Sequence, residues 1–250
     1  LFLISYVHLQ GYPAKNGVNY YVNPESRSLV EDGSRSHPYK SLSKLERVTW
    51  GKGDTLFLAG GVEHRGTLSI EGVKAEKSRP FVITSYGTGN AILHAGKGTG
   101  ILIANSEHVN VHDLIIYGNG YREEDANNGS GLHCKDCRFV TVDRLECYGF
   151  LWNGLLIEGG SDYRVTRVYA HENGYCGILV TAPDSKNRTR NVHISSCIAE
   201  NNPGCYRITD NHSGSGILLG QVTSATVEYC EAMNNGWAMP RGGNGPVGIW

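Results

Sequence analysis

A glycine leading a short apolar strand recurs along this chain at intervals that few folds accommodate. The copies are Gly100-Ile101-Leu102-Ile103, Gly131-Leu132-His133-Cys134, Gly154-Leu155-Leu156-Ile157, Gly177-Ile178-Leu179-Val180 and Gly216-Ile217-Leu218-Leu219, followed by Gly248-Ile249-Trp250. Gly131, Gly154 and Gly177 stand 23 residues apart, which sets the length of one unit. A fixed period in this range marks a stacked-repeat architecture, and a unit this short and rich in β-formers is one coil of a parallel β-helix.

A second signature sits inside each unit: Val109-Asn110-Val111, Val140-Thr141-Val142, Tyr163-Arg164-Val165, Val192-His193-Ile194 and Ala225-Thr226-Val227. Its first and third residues share one face of a strand. Beyond each triplet, Leu114, Leu145, Val168, Cys197 and Cys230 form one apolar column and Ile116, Cys147, Ala170, Ala199 and Ala232 another, so both are expected to face inward. The next turn column reads Asn119, Phe150, Asn173, Asn202 and Asn235, and stacked turn asparagines are expected to hydrogen-bond along the coil as a ladder.

Unit lengths differ chiefly at one corner. The extra residues lie within 118–130, 202–215 and 236–247, and a polar insertion elsewhere spans 181–191. Insertions concentrated on one face of a repeat protein are often its binding face.

With 23 Lys and Arg against 24 Asp and Glu, and no basic run, the chain lacks the electrostatic footprint of a nucleic-acid reader. Its 33 glycines fit one domain of turn-rich β structure, expected as a monomer. The apolar opening Leu1–Leu9 is too short for a membrane span and suits the remnant of a secretory leader over residues 1–18, with an ordinary first strand as the other reading. Residues 19–53 then supply a strand and an amphipathic capping helix, read from the apolar positions three apart within Pro38–Val48. Residues 54–250 form the β-helix, whose last repeat breaks off as though further coils follow.

Of the seven cysteines, Cys147, Cys197 and Cys230 fall on inward columns, where a thiol serves as a small hydrophobe. Cys197 and Cys230 occupy one position in adjacent coils, so a disulfide is sterically open to them without being required. Cys134 and Cys137 lack the second pair that a zinc site needs. The sequons at Asn128, Asn187 and Asn211 are compatible with secretion.

The runs Asn19-Tyr20-Tyr21-Val22, Pro38-Tyr39-Lys40-Ser41-Leu42, Gly53-Asp54-Thr55-Leu56-Phe57-Leu58-Ala59-Gly60-Gly61 and Arg65-Gly66-Thr67-Leu68 resemble the opening segment of secreted right-handed parallel β-helix proteins of the pectin-lyase-like superfamily. The repeats after Gly100 resemble that superfamily's β-helix repeat, so the resemblance covers residues 19–250. It implies an all-β, single-stranded solenoid that is secreted, periplasmic or on the cell surface, with polysaccharide as partner. Members include pectate and alginate lyases, chondroitinases, polygalacturonases and other glycoside hydrolases, epimerases and adhesins, and no motif here selects one of them. In several glycan-active members the carboxylates lie in later coils.

In the glycine-led strands the outward columns read Leu102, His133, Leu156, Leu179, Leu218, Trp250 and Ala104, Lys135, Glu158, Thr181, Gly220. Polar chemistry therefore gathers at His133, Lys135 and Glu158, beside the corner of inserted loops. An outward apolar strip needs a cover, either those loops or the face of a sugar chain. The loops add Arg122, Tyr206, Arg207, Asp210, His212, Trp237 and Arg241.

Eliminating a uronate linkage needs a base for the C5 proton, a cation for the carboxylate and an acid for the leaving oxygen. Lys135 or His133 suits the base, Arg207 or Arg241 the clamp, and Tyr206 or His212 the acid. Hydrolysis instead needs two carboxyl groups across the bond, for which Glu158 and Asp210 are the best pair and Asp136 an alternative. The bland alternatives are a surface ion pair between Lys135 and Glu158, a loop-packing His133, and arginines that anchor their own loops. Trp237 either stacks on a sugar or covers the leucine strip. No cofactor is required, although the acidic run Glu123–Asp125 offers oxygen ligands for Ca2+ if it is not simply a solvated loop. The leading expectation is a lyase acting on an acidic glycan, with a glycoside hydrolase or a non-catalytic carbohydrate-binding β-helix as alternatives.

Overall fold

The glycine-led strands stack into one parallel sheet. In the computed structural model, which describes residues 17–122, 127–241 and 245–250, its six strands lie in the order Ser215–Leu219, Cys176–Thr181, Asn153–Glu158, Leu132–Lys135, Ile101–Ala104 and Leu68–Glu71. The register is one repeat per coil: Leu102 faces His133, His133 faces Leu156, Leu156 faces Leu179 and Leu179 faces Leu218. A second parallel sheet of 12 strands carries the triplets, its main path running from Asn19–Val22 to Ala225–Glu228. Inward residues from both sheets, among them Ile101, Leu132, Leu155, Ile178, Val111, Val142, Val165 and Ile194, are wholly buried in one continuous core.

The repeat glycine has a steric cause. A Cβ on Gly131 would lie 2.5 Å from the carbonyl oxygen of Gly154, and one on Gly154 would lie 2.9 Å from that of Gly177 and 3.0 Å from the Ala170 methyl. At Gly100, Gly131, Gly154, Gly177 and Gly216 the coils pack without room for a side chain, so these copies must be glycine for the next to stack.

The long triplet strands turn a corner at Asp113, Arg144 and Arg167, whose φ values are 60°, 51° and 52°. One left-handed residue per coil inserts an extra position, so Val111 and Leu114, three apart, both point inward. This is why the apolar columns resume at the third residue after the triplet rather than the second.

The asparagine ladder has three rungs. Asn173 Nδ2 donates to Asn202 Oδ1 at 3.2 Å and to the Cys147 carbonyl at 3.1 Å, while Asn202 Nδ2 donates to Asn235 Oδ1 at 2.8 Å. Each carboxamide oxygen also accepts a backbone N–H one coil away: Phe150 to Asn173 at 3.2 Å, Asn173 to Asn202 at 3.0 Å and Asn202 to Asn235 at 3.1 Å. Asn119 departs from this expectation, because it is exposed and accepts from His94 Nε2 at 2.9 Å. The inserted loop supplies Asn127 instead, whose buried amide donates to the Gly96 and Gly98 carbonyls, both at 2.6 Å.

Toward the N-terminus, the expected amphipathic helix over residues 38–48 is a 3-10 helix confined to Leu42–Arg47. Three residues per turn bring Leu42 and Leu45 onto one face, and both are buried in the main core. The spacing of three is thus the period of the tighter helix. The leader expected over residues 1–18 falls outside the described residues except for Gly17 and Val18. Among the described residues no helix is long and apolar enough to cross a membrane.

All seven cysteines are free thiols. Cys197 and Cys230 are not bridged: the Cys197 N–H donates to Cys230 Sγ at 3.5 Å, and each thiol is directed at a backbone carbonyl. Burial pushes the Cys137 thiol up to about 11 and that of Cys197 to about 12, and only Cys230 is partly exposed. A thiol reagent added to the native protein is therefore expected to modify Cys230 first, with the other six reacting only on unfolding. Mass spectrometry after a timed pulse checks this, and early labelling of Cys134 or Cys147 would contradict the buried columns.

Candidate functional site

The three corner insertions meet one another over the outward leucine strip. Leu151 and Cys205 are wholly buried in a second small apolar cluster with Trp152, Tyr175, Tyr206 and Ile208, separate from the solenoid core. Arg207 fastens the second insertion to the first by donating from Nη1 to Asn128 Oδ1 at 2.7 Å, and its Nε donates to the Tyr206 hydroxyl at 2.9 Å. Arg122, Tyr206 and Trp237, one from each insertion, line a cavity of about 380 Å³ with Tyr121.

Beneath this wall runs a trough along the solenoid. One part, about 460 Å³, is floored by His133, Leu156 and Leu179 and walled by Trp152, Asn153, Tyr175 and Ile208. A second part, about 530 Å³, continues over Leu218 and Trp250 and is lined by Asn211 and His212. Tyr175 lines both, and Trp152 meets it edge-on with ring centroids 6.0 Å apart. The alternation of the glycine-led strands builds the floor, since every second residue must point away from the core.

His133 is the chemical centre of the floor. Its Nε2 lies 3.0 Å from Glu158 Oε2, with the two side chains 19% and 26% exposed. Glu158 stands opposite Lys135 in the sheet register, yet its carboxylate reaches diagonally to the histidine. The expected ion pair between Lys135 and Glu158 is not formed, and Lys135 is exposed. Burial lowers the His133 pKa below its ordinary 6.5, opposed by the Glu158 charge and reinforced by that of Lys135. The imidazole is therefore neutral at neutral pH, with a carboxylate in place to hold the proton it accepts.

Two polar atoms along the trough have no hydrogen-bond partner. Asn153 is 3% exposed and its Nδ2 donates to Ser130 Oγ at 3.2 Å, but its Oδ1 is unpaired, as is the buried Nδ1 of His212. The Nε2 of His212 lies 3.5 Å from Arg241 Nη1. A buried polar atom without a partner costs free energy that a ligand hydroxyl recovers.

The structure thus brings together His133 with Glu158, His212 with Arg241, Tyr206 with Arg207, and Arg122 with Tyr206 and Trp237. Asp210 is exposed and lines neither part of the trough, so the carboxylate pair expected for hydrolysis has no common cavity among the described residues. The acidic run Glu123–Asp125, named for Ca2+, lies outside the described residues. Among those described, no three His, Cys, Asp or Glu side chains group as a metal site.

Trp152, Asn153 and Tyr175 were not singled out in the sequence. The signal open to inspection was a residue immediately before each repeat glycine, where Ser130, Asn153, Cys176 and Ser215 stand in register.

The family model described as right-handed β-helix region matches residues 84–249. Among solved structures, an alginate lyase from Paenibacillus sp. is 19% identical with a TM-score of 0.54, covering 76% of this chain and 62% of its own. A pectate lyase is 14% identical with a TM-score of 0.53, covering 93% and 68%. A GH136 lacto-N-biosidase from Eubacterium ramulus is 11% identical with a TM-score of 0.49, covering 86% of this chain and 56% of its own. The chain thus spans under two thirds of the length of the alginate lyase and the lacto-N-biosidase, and the likeness at these identities is one of fold. No curated protein matches the sequence.

Proposed function

The chain belongs to the right-handed β-helix family, and from that premise we propose that it is a polysaccharide lyase acting on a uronate-containing glycan bound along the trough. The observation that carries this reading is the neutral, largely buried His133 held by Glu158 on the floor of an aromatic-walled trough. Such a pair is suited to taking a proton from carbon, and the leucine floor and Trp152 suit the apolar face of a sugar.

In the proposed step His133 removes the C5 proton, the C5–H electron pair forms the C4–C5 double bond, and the C4–O bond breaks to release the leaving sugar. Glu158 orients the imidazole and stabilises the imidazolium. Lys135, two residues along the same face, neutralises the uronate carboxylate, and His212, beside Arg241, donates a proton to the departing C4 oxygen as that oxygen takes the C4–O electron pair. The solved lyases on this scaffold support the reading as analogy of fold. Secretion and a monomeric state accompany it as parts of the proposal.

Ultraviolet absorbance of the unsaturated product, measured on pectin, alginate and glycosaminoglycans, tests the proposal. Absorbance on one of them is expected, and reducing ends without absorbance would turn the reading to hydrolysis. Binding without product would turn it to a carbohydrate-binding module.

The pH dependence carries a sign. Because the His133 pKa is depressed, the neutral base persists below pH 6.5, and the acid limb of kcat/KM is expected under that value. Glu158→Gln removes the charge that opposes the depression, so the limb should move further toward acid while kcat falls. An unmoved limb would mean that another group is the base.

A further inference from the structure

On a different side of the solenoid, at the turn into the triplet strands, lies a cleft of about 670 Å³ that shares no residue with the trough. Lys77, His108, Asn110, Phe139, Thr141 and Arg164 line it. We propose that this cleft is a second binding site, for an anionic saccharide. Its saccharide character rests on the reading of the trough; its preference for an anion rests on the cleft's own charges.

The first observation is a turn column occupied against backbone preference. In successive coils it reads His108, Phe139, Asp162 and Asn191, with φ values of 54°, 56°, 64° and 53°. Asp and Asn tolerate this left-handed region, whereas a bulky aromatic residue is disfavoured there. Phe139 is nonetheless 39% exposed, so its ring sits at the surface and not in the core. It stacks on His108 with centroids 4.5 Å apart and an interplanar angle of 8°, and the Arg138 guanidinium lies 5.3 Å from its ring centroid. A strained aromatic ring kept at the surface, over a cleft, is explained by what it contacts there.

The second observation is an excess of positive charge. Lys77, Arg138 and Arg164 enter no ion pair among the described residues, whereas nearby Lys52 and Lys74 are paired with Glu76 and Glu107. The carboxylate lining the cleft, Asp162, accepts from Ser161 Oγ and Asn191 Nδ2, both at 2.6 Å, and its charge offsets one of the three unpaired cations, leaving an excess of positive charge. Lys77 and Arg164 thus line the cleft around a flat aromatic pair, Arg138 lies over the Phe139 ring, and the Asn110 amide and Thr141 hydroxyl stand beside it. That combination fits a sugar ring carrying a carboxylate or sulfate.

The test uses calorimetry with a uronate hexasaccharide and a neutral cellohexaose, in a His133→Ala background so that turnover does not consume the ligand. Two uronate-binding steps are expected, one of them weakened about tenfold by Arg164→Ala, the size expected for one charge-assisted contact. Phe139→Asn should weaken the same step yet raise Tm by about 2 °C, since asparagine relieves the left-handed strain. Cellohexaose binding should ignore both substitutions. Unchanged uronate affinity in either variant overturns the proposal, as does a fall in Tm for Phe139→Asn, which would make the ring structural. If no uronate polymer is cleaved but Arg164→Ala still weakens binding, the lyase reading falls and the cleft stands.

Discussion

His133→Ala is expected to lower kcat on the uronate polymer by about a thousandfold while changing KM little. Removing a positioned general base costs 10²- to 10⁴-fold by its nature. The loss is placed in kcat because binding is spread over the leucine floor, Trp152, Tyr175 and Asn153, which the substitution leaves in place. Product absorbance over a range of substrate concentrations separates the two constants. A variant retaining more than about a tenth of wild-type turnover would remove His133 from the chemistry. Lys135→Ala in parallel divides the assignment between base and cation: a lysine that only neutralises charge should cost less than the base.

Asn202→Ala is expected to destabilise the fold by about 2–4 kcal/mol in denaturant unfolding, with the trough chemistry untouched where the protein remains folded. Asn202 is the middle rung of the ladder. Its Oδ1 accepts the Asn173 N–H at 3.0 Å and Asn173 Nδ2 at 3.2 Å, and its own Nδ2 donates to the Ala170 carbonyl at 3.3 Å. Alanine strands these groups in a site that is wholly buried, and unsatisfied polar groups cost more there than the bonds were worth. Asn119→Ala is the control, because its side chain is exposed and bonds outside the ladder. Equal losses for the two variants would show that the ladder contributes nothing particular.

Those two residues also mark how far the chain could be read without its structure. Asn202 was legible as a rung because the ladder depends on register, and register follows from the period. Asn119 has the same sequence context and, like Asn202, is followed by an insertion, yet its side chain is exposed and bonds His94, while Asn127, eight residues further on, makes the buried bonds to the Gly96 and Gly98 carbonyls. His133 and Glu158 were legible as outward polar residues in adjacent coils. Their pairing was not, because the register sets Lys135 opposite Glu158 and the choice of the diagonal partner is made by side-chain rotamers and burial.

The same division holds for the inserted loops. Their common corner followed from repeat lengths alone. That Arg207 spends its guanidinium on Asn128 and Tyr206, while Arg241 turns to His212, depends on how three irregular segments pack on one another. Nothing periodic constrains that packing.

What the amino-acid sequence determined by itself was the coil: its period, its inward columns and the corner where it widens. These are set by short-range geometry repeated many times, where a glycine without room for a Cβ and an alternation of period two leave one solution. Tertiary structure alone decided which polar side chains meet, which arginines are spent on loops, and that Asn153 and His212 are left with an unpaired atom beside the trough. Those outcomes rest on single contacts between residues distant in the chain, each worth about a kilocalorie, and no repeat averages over them.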